Sequence, residues 1–295
     1  MRYSSWLSKA AGAEVFLKLE TLQPTNSYKI RGATNAVLKL AAASGKHKAP
    51  IVTASAGNHG RAMAHAAAAA GLHLTVYAPE HAPKTKLDAI REAGAELRLC
   101  SDYDEAERRA KEHGARGIGV YISPYAHPDV IAGAGTVAME ILSDLPKVET
   151  IVASIGGGGL ISGIAVASEG HAEAAGVEVE ASTPFTSSLR AGRIVPIEVG
   201  ETLADGLSGN LDPDSPTFEI VRDRVKQIAV VSEDDLRRAI HDVAHHEKLI
   251  IEGATAAAVS AVAYGKLDVR GKKVAIVLSG ANVDLDRWAL VVGCR

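Results

Sequence analysis

A lysine in an unusual local setting is the first residue of this chain that could do chemistry. Lys29 lies in Ser27-Tyr28-Lys29-Ile30-Arg31-Gly32-Ala33, beside an aromatic residue and near a second cation, where small residues open a helical pattern. An amine is nucleophilic only when neutral, and partial burial or a nearby cation favours that state. Such an amine can form a Schiff base. The alternative is an ordinary solvated lysine in a first helical turn, because lysine side chains are seldom buried.

Two predicted strand-to-helix turns have the composition of anion-binding sites. In Thr53-Ala54-Ser55-Ala56-Gly57-Asn58-His59-Gly60, a predicted strand ends in small residues just before a helix. Backbone N–H groups at a helix start have no partner within the helix and can bind a carboxylate. In the segment from Ser154 to Gly163, four consecutive glycines (Gly156, Gly157, Gly158 and Gly159) let backbone amides surround a phosphate without interference from a Cβ. Two such turns predict a ligand with two anionic groups.

The four glycines do not form either of the common nucleotide-binding motifs. A G-x-G-x-x-G pattern fails because Ile161 or Ser162 stands in its last position, and a P-loop fails because Ile164 follows Gly163 where lysine is required. A flexible turn is the alternative, but the entropy that four glycines lose on folding favours a binding role. The phosphate ligand is therefore predicted to be neither a dinucleotide nor ATP.

Composition describes a globular protein that acts on small molecules. The chain has 295 residues, of which 47% are hydrophobic and 23% charged, and a net charge of −3. That length is enough for two domains with substantial cores. Lysines and arginines are dispersed, so the sequence predicts neither a nucleic-acid partner nor a membrane-surface partner.

Cysteine usage and hydropathy predict a cytoplasmic location. Cys100 and Cys294 are far apart and lack the spacing of metal ligands, which fits a reducing compartment with one buried thiol and one thiol in the tail. The alanine-rich run 62–70 is too short and too polar to span a membrane, and residues 1–7 lack the order of a signal peptide.

Short β-branched runs alternate with alanine-rich helical stretches, which predicts an α/β fold with parallel sheet. The predicted strands are 14–19, 51–54, 74–78, 96–99, 117–122, 150–155, 177–180 and 274–279. The predicted helices are 28–42, 59–70, 84–93, 103–113, 130–142, 160–169, 233–248 and 252–264. Breaks near 48–50 and 123–128 predict a large cofactor-binding domain of residues 1–48 and 128–295 and a small mobile domain of residues 49–127 that closes on substrate.

A monophosphorylated cofactor that also forms a Schiff base with lysine is pyridoxal 5′-phosphate. The order of four motifs, Ser-Tyr-Lys-Ile-Arg-Gly-Ala, Ser-Ala-Gly-Asn-His-Gly, Gly-Gly-Gly-Gly-Leu and Leu-Ser-Gly-Ala-Asn, resembles the fold type II pyridoxal-phosphate enzymes, in particular the threonine/serine dehydratase and serine racemase branch. The resemblance covers nearly the whole chain. It implies a fold like the tryptophan synthase beta subunit, with two open, twisted, mostly parallel sheets flanked by helices, and a homodimer.

The resemblance also implies a role for each motif. Lys29 would be the Schiff-base lysine and catalytic base, and Tyr28 would lie beside the pyridine ring. The remaining implied contacts are Asn58 with the 3′-oxygen of the cofactor, Gly156, Gly157, Gly158 and Gly159 with its phosphate, Ser279 with its ring nitrogen, and Ser55, Ala56, Gly57 and Asn58 with the substrate carboxylate. Glu252 resembles a family glutamate near the ring, yet a glutamate that opens a helix also suits the helix dipole.

The implied reaction is β-elimination from a β-hydroxy amino acid, L-threonine or L-serine or both, to a 2-oxo acid and ammonia. A neutral hydroxyl at Ser279 leaves the ring nitrogen unprotonated, which favours elimination over transamination. Ala56 has no exchangeable proton, whereas the resembling racemases carry a hydroxyl there, so dehydration is preferred to racemisation.

Other functions remain open from sequence alone. Within the same fold they are an amino-acid racemase, a threonine synthase-like replacement enzyme, and a dehydratase of 3-hydroxyaspartate or of a hydroxyectoine-pathway intermediate. A protein that binds the cofactor without catalysis is the alternative from a different class.

The sequence departs from the family pattern in several places. Glu180 matches one acid of the racemases' divalent-metal site but Thr186 replaces the second, so no metal is predicted. Only 28 residues precede Lys29, so the N-terminal segment that the family usually has, including a helix and the first edge strand, is expected to be missing. The chain ends soon after Ser279, so a regulatory domain of the kind found in biosynthetic threonine dehydratases is not expected.

Overall fold

The computed structural model describes residues 1–45 and 49–293. Its strands within those residues are β1 (Arg2–Tyr3), β2 (Glu14–Leu19), β3 (Ile51–Ala54), β4 (Leu74–Pro79), β5 (Glu96–Cys100), β6 (Val120–Tyr121), β7 (Thr150–Ser154), β8 (Glu173–Val179), β9 (Val225–Val231) and β10 (Lys273–Leu278). Its helices are α1 (Ser5–Ala11), α2 (Lys29–Ser44), α3 (Asn58–Ala70), α4 (Lys84–Glu92), α5 (Tyr103–Ala115), α6 (Pro128–Asp144), α7 (Gly159–Ala167), α8 (Pro184–Ala191), α9 (Pro216–Arg224), α10 (Glu233–Asp242), α11 (Gly253–Ala263) and α12 (Leu285–Gly293). The predicted α/β class is confirmed.

The described residues form two compact units. The first unit contains Met1–Asn26 and the described residues from Gly135 onward, and the second contains Ser27–Ala134. The boundaries predicted from sequence lie at 48/49 and 127/128, whereas the compact units meet at 26/27 and 134/135 along the chain. The mobility of a small domain 49–127 stays a prediction.

The first unit is built on a six-stranded sheet with the order β1-β2-β10-β7-β8-β9. Its strands are parallel except for the short edge strand β1, which pairs antiparallel with β2. In β10, Val274–Leu278 is fully buried, as expected for a central parallel strand covered on both faces. Because parallel strands end at the same edge, the segments that follow β7 and β10 lie side by side.

The second unit is built on a four-stranded parallel sheet with the order β5-β4-β3-β6. Strands β3 and β4 are buried along their whole length. The alanine-rich helix α3 follows β3 and ends at Gly71, whose left-handed conformation lets its N–H bond the last turn of the helix. The turn after β3 and the segment after β6 share one edge of this sheet, since these two strands are parallel neighbours.

Several predicted elements differ from the observed ones for local reasons. Strand 117–122 is reduced to the two residues of β6, because Gly117 adopts a positive φ of 70° that breaks an extended chain. The helix predicted over 233–248 changes after Asp242 into a π-helical turn, Val243–Glu247, which ends at Lys248 with φ 56°. Ahead of Lys29 the chain forms the short edge strand β1 and the helix α1, while the expected loss of the family's N-terminal segment stays a prediction.

Two other expectations concern burial and hydropathy. Cys100 is a buried free thiol, as predicted for a core cysteine, while Cys294 lies outside the described residues. Among the residues that the structure describes, no helix combines the length and apolarity needed to cross a membrane.

Helices α2 and α6 approach each other closely at two glycines of the second unit. A Cβ on Gly133 would lie 2.5 Å from the carbonyl oxygen of Arg31 and 2.7 Å from the α-carbon of Gly32. A Cβ on Gly32 would lie 2.7 Å from the carbonyl oxygen of Val130. These glycines therefore set the distance between the helix that begins at Lys29 and its neighbour.

We expect Gly133→Ala to lower the free energy of unfolding by about 1–3 kcal/mol, because the new methyl group meets backbone atoms that cannot rotate away. Urea denaturation measures the change. The control is Gly293→Ala in α12, where a Cβ meets nothing within 4 Å and where alanine favours a helix. Equal stability of the two variants would contradict the close approach.

Candidate active site

Lys29 is held by protein groups in the second unit. It is the first residue of α2, and its backbone N–H donates to the Ser27 hydroxyl at 3.2 Å. Its Nζ donates to the carbonyl oxygen of Pro124 at 2.7 Å and lies 5.3 Å from the centre of the Tyr28 ring. The side chain is half-buried. The amine is thus oriented by a carbonyl and an aromatic face, which an ordinary solvated lysine lacks.

The turn predicted to bind a carboxylate lies at the end of β3. Ser55 is buried, and its hydroxyl accepts a hydrogen bond from the N–H of Gly57 at 3.2 Å. Asn58 begins α3, so the first N–H groups of that helix open next to the turn. A Cβ on Gly60 would lie 2.4 Å from the carbonyl oxygen of Ser55, so glycine is needed there for the helix to pack on its own turn.

His59 links this turn to the segment that binds Lys29. It is 3% exposed, and its Nε2 lies 3.1 Å from the hydroxyl of Thr53. The Thr53 proton goes to the carbonyl oxygen of Ile122 at 2.7 Å, so Nε2 of His59 must be the donor in the first bond. Its Nδ1 is buried without a hydrogen-bond partner among the described residues.

Burial and two nearby positive charges disfavour a proton on His59. Burial, followed by the positive charge of Lys29, holds the pKa of His59 well below its ordinary value of 6.5. The charge of His127 acts in the same direction. Lys29 and the Ser55–Asn58 turn are therefore parts of one arrangement within the second unit, joined through His59 and the segment after β6.

Ile155 and the first three of the four glycines connect β7 to α7 in the first unit, and Gly159 begins α7. Gly158 has φ 86°, and a Cβ on it would lie 2.5 Å from Cζ of Phe185 and 2.9 Å from Cβ of Thr217. The Thr217 hydroxyl donates to the carbonyl oxygen of Gly157 at 2.9 Å. A Cβ on Gly156 would lie 2.9 Å from the carbonyl oxygen of Gly206. Packing therefore requires glycine at two of the four positions and fixes the course of the loop.

Ser279 follows β10 at the same edge of the sheet as the glycine loop. It is buried, and its hydroxyl oxygen lies 3.1 Å from that of Thr255 in the first turn of α11. The Ser154 hydroxyl at the end of β7 donates to the carbonyl oxygen of Ala254. The start of α11 therefore ties the ends of β7 and β10 together, which places the glycine loop and Ser279 in one arrangement.

Glu252 is buried against the loop after β10. One of its carboxylate oxygens accepts from the N–H of Asn282 at 3.1 Å, and a Cβ on Gly280 would lie 2.5 Å from the other. The Asn282 side chain donates in turn to the carbonyl oxygen of Thr25 at 2.8 Å. The carboxylate thus does more than face a helix dipole, since it shapes the loop that carries Ser279.

The acid that contacts Thr186 is Glu178, which the sequence did not single out. Glu180 is exposed, whereas Glu178 is buried within β8 and accepts three hydrogen bonds, from Phe185 N at 2.7 Å, Thr186 N at 2.9 Å and the Thr186 hydroxyl at 2.5 Å. Burial raises the pKa of Glu178, and these bonds oppose the rise. The signal was available, since Glu178 stands inside an otherwise apolar buried strand. That no metal binds stays a prediction.

The residues present fit pyridoxal 5′-phosphate. The glycine loop leaves room where side chains would fill it, a buried serine hydroxyl stands at the same sheet edge, and Lys29 offers an amine held beside an aromatic ring. The loop and the serine belong to the first unit, and Lys29 belongs to the second.

Comparison with known proteins identifies the family of this chain. A family model described as pyridoxal-phosphate dependent enzyme matches residues 1–280. The chain belongs to the family of pyridoxal-phosphate-dependent enzymes, and its two mostly parallel sheets place it in fold type II. The cofactor predicted from the sequence is the cofactor of that family.

Individual relatives indicate the branch of the family that this chain resembles. The L-threonine ammonia-lyase of Thermotoga maritima is 41% identical to this chain and is matched over 97% of this chain and 71% of its own length. The L-threo-3-hydroxyaspartate ammonia-lyase of Saccharomyces cerevisiae is 36% identical, over 98% and 89%. The crystal structure of serine racemase from Dictyostelium discoideum is 32% identical with a TM-score of 0.85, covering 96% of this chain and 91% of that chain. The resemblance to the dehydratase and racemase branch is confirmed.

We expect Gly158→Ala to destabilise the protein more than Gly170→Ala, which is its matched control. Both glycines have positive φ, 86° and 76°, so both variants carry a left-handed backbone cost of about 1–2 kcal/mol. Only Gly158→Ala adds the clash with Phe185 and Thr217, about 1–3 kcal/mol more. Urea denaturation of the two apoproteins measures the difference. Equal losses of unfolding free energy would show that the loop moves to accommodate the methyl group, which would contradict the prediction.

We expect the stability of the protein to fall as the pH drops below 6.5, in part through His59. The pKa of His59 is lowered in the folded protein, so below pH 6.5 the unfolded chain binds a proton that the folded chain does not bind. One such group contributes up to about 1.4 kcal/mol per pH unit. Urea denaturation from pH 7.5 to 5.5 should therefore give a shallower slope for His59→Gln than for the wild type.

The control for this measurement is His65→Gln, on the same helix. The His65 side chain is exposed, so its replacement should leave the slope unchanged. Parallel curves for wild type and His59→Gln would contradict a neutral buried histidine.

Proposed function

We propose that the protein is a pyridoxal-phosphate-dependent ammonia-lyase that dehydrates a β-hydroxy amino acid, L-threonine or L-serine, to a 2-oxo acid and ammonia. The observation that carries the proposal is the Lys29 amine, which is held at 2.7 Å by the carbonyl oxygen of Pro124 and lies beside the Tyr28 ring. The relatives support the proposal, since one of them is an L-threonine ammonia-lyase at 41% identity.

When bound, pyridoxal 5′-phosphate supplies an electron-withdrawing ring that stabilises negative charge at the α-carbon of an amino acid. Gly156, Gly157, Gly158 and Gly159 would hold the phosphate through backbone N–H groups, because a loop without side chains lets the backbone approach closely. Tyr28 would lie against the ring, Asn58 would donate to the 3′-oxygen, and Ser279 would face the ring nitrogen.

The second unit supplies the proton chemistry. Lys29 Nζ would take the α-proton of the substrate as general base once its amine is free. The turn formed by Ser55, Ala56, Gly57 and Asn58 would bind the α-carboxylate at the start of α3. His59 stays neutral in this region, so its ring holds no added proton that it could pass to the free Lys29 amine.

Ala56 favours elimination over racemisation. Its methyl group has no proton to deliver to the α-carbon from the face opposite Lys29. One structural relative is a serine racemase, so interconversion of D- and L-serine is one alternative to test. Another relative is named for L-threo-3-hydroxyaspartate, so dehydration of that amino acid is a second alternative.

The proposal also includes a homodimer in the cytoplasm, with residues 49–127 closing on substrate. The homodimer and the domain closure are proposed from the resemblance of the sequence to the family, and the location from the composition of the chain. A small amino acid is the proposed partner, with no nucleic acid and no membrane.

We expect Lys29→Ala to lose more than about a hundredfold in the formation of 2-oxo acid, because both the Schiff-base amine and the base are removed. The assay follows 2-oxo acid from L-threonine, L-serine, both 3-hydroxyaspartate diastereomers and D-serine. The control is Lys39→Ala on the same helix, whose exposed side chain pairs with Asp129 and which should stay within about twofold of wild type.

The ranking of substrates decides which β-hydroxy amino acid the protein prefers. Wild-type protein that shows the visible absorbance of bound cofactor but forms no 2-oxo acid from any substrate would overturn the ammonia-lyase proposal. Interconversion of D- and L-serine without 2-oxo acid would favour a racemase instead.

A further inference from the structure

Two buried hydroxyl groups at the end of β10 form a hydrogen-bonded pair. The Ser279 and Thr255 oxygens are 3.1 Å apart, and neither side chain is more than 4% exposed. Thr255 lies in the first turn of α11, and Ser279 is the residue proposed to face the ring nitrogen of the cofactor. The direction of the hydrogen bond between them decides what Ser279 can offer to a ligand.

The protein alone fixes that direction. A hydroxyl has one proton and two lone pairs. The Thr255 proton goes to the carbonyl oxygen of Gly280 at 2.7 Å, since a carbonyl can only accept, and one Thr255 lone pair accepts from the N–H of Gly280 at 2.9 Å. The second lone pair is left for Ser279, which must therefore be the donor. In this state Ser279 has lone pairs to offer but its proton is engaged.

An unprotonated ring nitrogen needs the opposite arrangement. It can only accept, so the Ser279 proton must turn toward it, and a Thr255 lone pair then loses its donor. The Thr255 proton can turn from the Gly280 carbonyl to the Ser279 oxygen at little cost. That carbonyl keeps a second donor, the N–H of Glu252 at 3.2 Å, so it is not left unpaired.

We infer that Thr255 is a positioning residue for the cofactor, and that its hydroxyl reverses the bond to Ser279 when the ring nitrogen arrives. The two hydroxyls then form a chain in which Thr255 donates to Ser279 and Ser279 donates to the ring. Hydrogen bonds in such a chain polarise one another, which makes Ser279 a better donor than an isolated serine. The inference rests on the proposed function, because it takes Ser279 as the partner of the ring nitrogen.

The arrangement explains why a neutral residue suffices at this place. A buried charge would need a paired counter-charge, whereas a chain of hydroxyls meets the nitrogen without one. It also gives Thr255 a role that its backbone contacts with Gly280 do not account for.

The test compares two cofactors on the same variants. Apoprotein is titrated with pyridoxal 5′-phosphate and with the analogue in which CH replaces the ring nitrogen, and the visible absorbance gives each Kd. We expect Thr255→Val to weaken binding of pyridoxal 5′-phosphate about five- to tenfold, Thr255→Ser to restore it to within about twofold, and Thr255→Val to leave binding of the carbon analogue unchanged relative to wild type.

A double-variant cycle gives an independent readout. In a Ser279→Ala background, Thr255→Val should cause no further loss of affinity for pyridoxal 5′-phosphate, because Thr255 acts through the Ser279 hydroxyl. Melting temperatures of the apoproteins measure the stability lost with the Gly280 contacts. That loss affects the binding of both cofactors equally, so it cancels when the two Kd values are compared.

Two results would overturn the inference while leaving the ammonia-lyase proposal intact. One is an equal loss of affinity for both cofactors in Thr255→Val, and the other is an additive loss in the double variant. Either would show that Thr255 only holds the backbone of the loop. Wild-type protein that binds pyridoxal 5′-phosphate without forming 2-oxo acid would instead overturn the lyase proposal alone, and wild-type protein that binds neither cofactor would overturn both.

Discussion

The hydrogen bonds that join the start of α11 to the ends of β7 and β10 are the constraint on which the first unit's site depends. Ser154 reaches the Ala254 carbonyl, and Thr255 holds both backbone polar groups of Gly280. Parallel strands bring their ends to one edge, but they do not fix the loops that leave that edge. Two consecutive residues of one helix do so here, while Glu252 supports the same loop from its other side.

A different constraint governs the second unit, where two basic side chains share one region. Desolvation disfavours a charge on the buried His59, and the positive charge of Lys29 adds to the cost of protonating it. The tautomer of neutral His59 is fixed by its bond to Thr53, whose own proton is committed to Ile122. The histidine can therefore stay close to the lysine and connect the Ser55–Asn58 turn to the segment after β6.

The sequence was most informative where chain geometry alone determines the outcome. β2 and β3 begin and end where alternation and apolar runs predicted, and four glycines after a strand predicted the loop that carries them. It was least informative for β9, α8 and α9, which were not predicted, and for β6, which begins only after the left-handed Gly117. Thr255 was missed because its side-chain partner, Ser279, lies 24 residues away in sequence. The fold class followed from the alternation of strand and helix patterns and the family from the order of the motifs, whereas the hydroxyl pair depends on tertiary contacts that no local pattern encodes.

The glycine loop between β7 and α7 contains four residues without a single side-chain functional group. A phosphate held there would be attracted by backbone dipoles, whose field decays faster with distance than that of an arginine or lysine. Recognition would then depend on a close geometric fit and little on long-range attraction, so anions that do not fit the loop would bind it weakly. Because backbone amides do not titrate, the loop itself would also keep the same affinity across the physiological pH range.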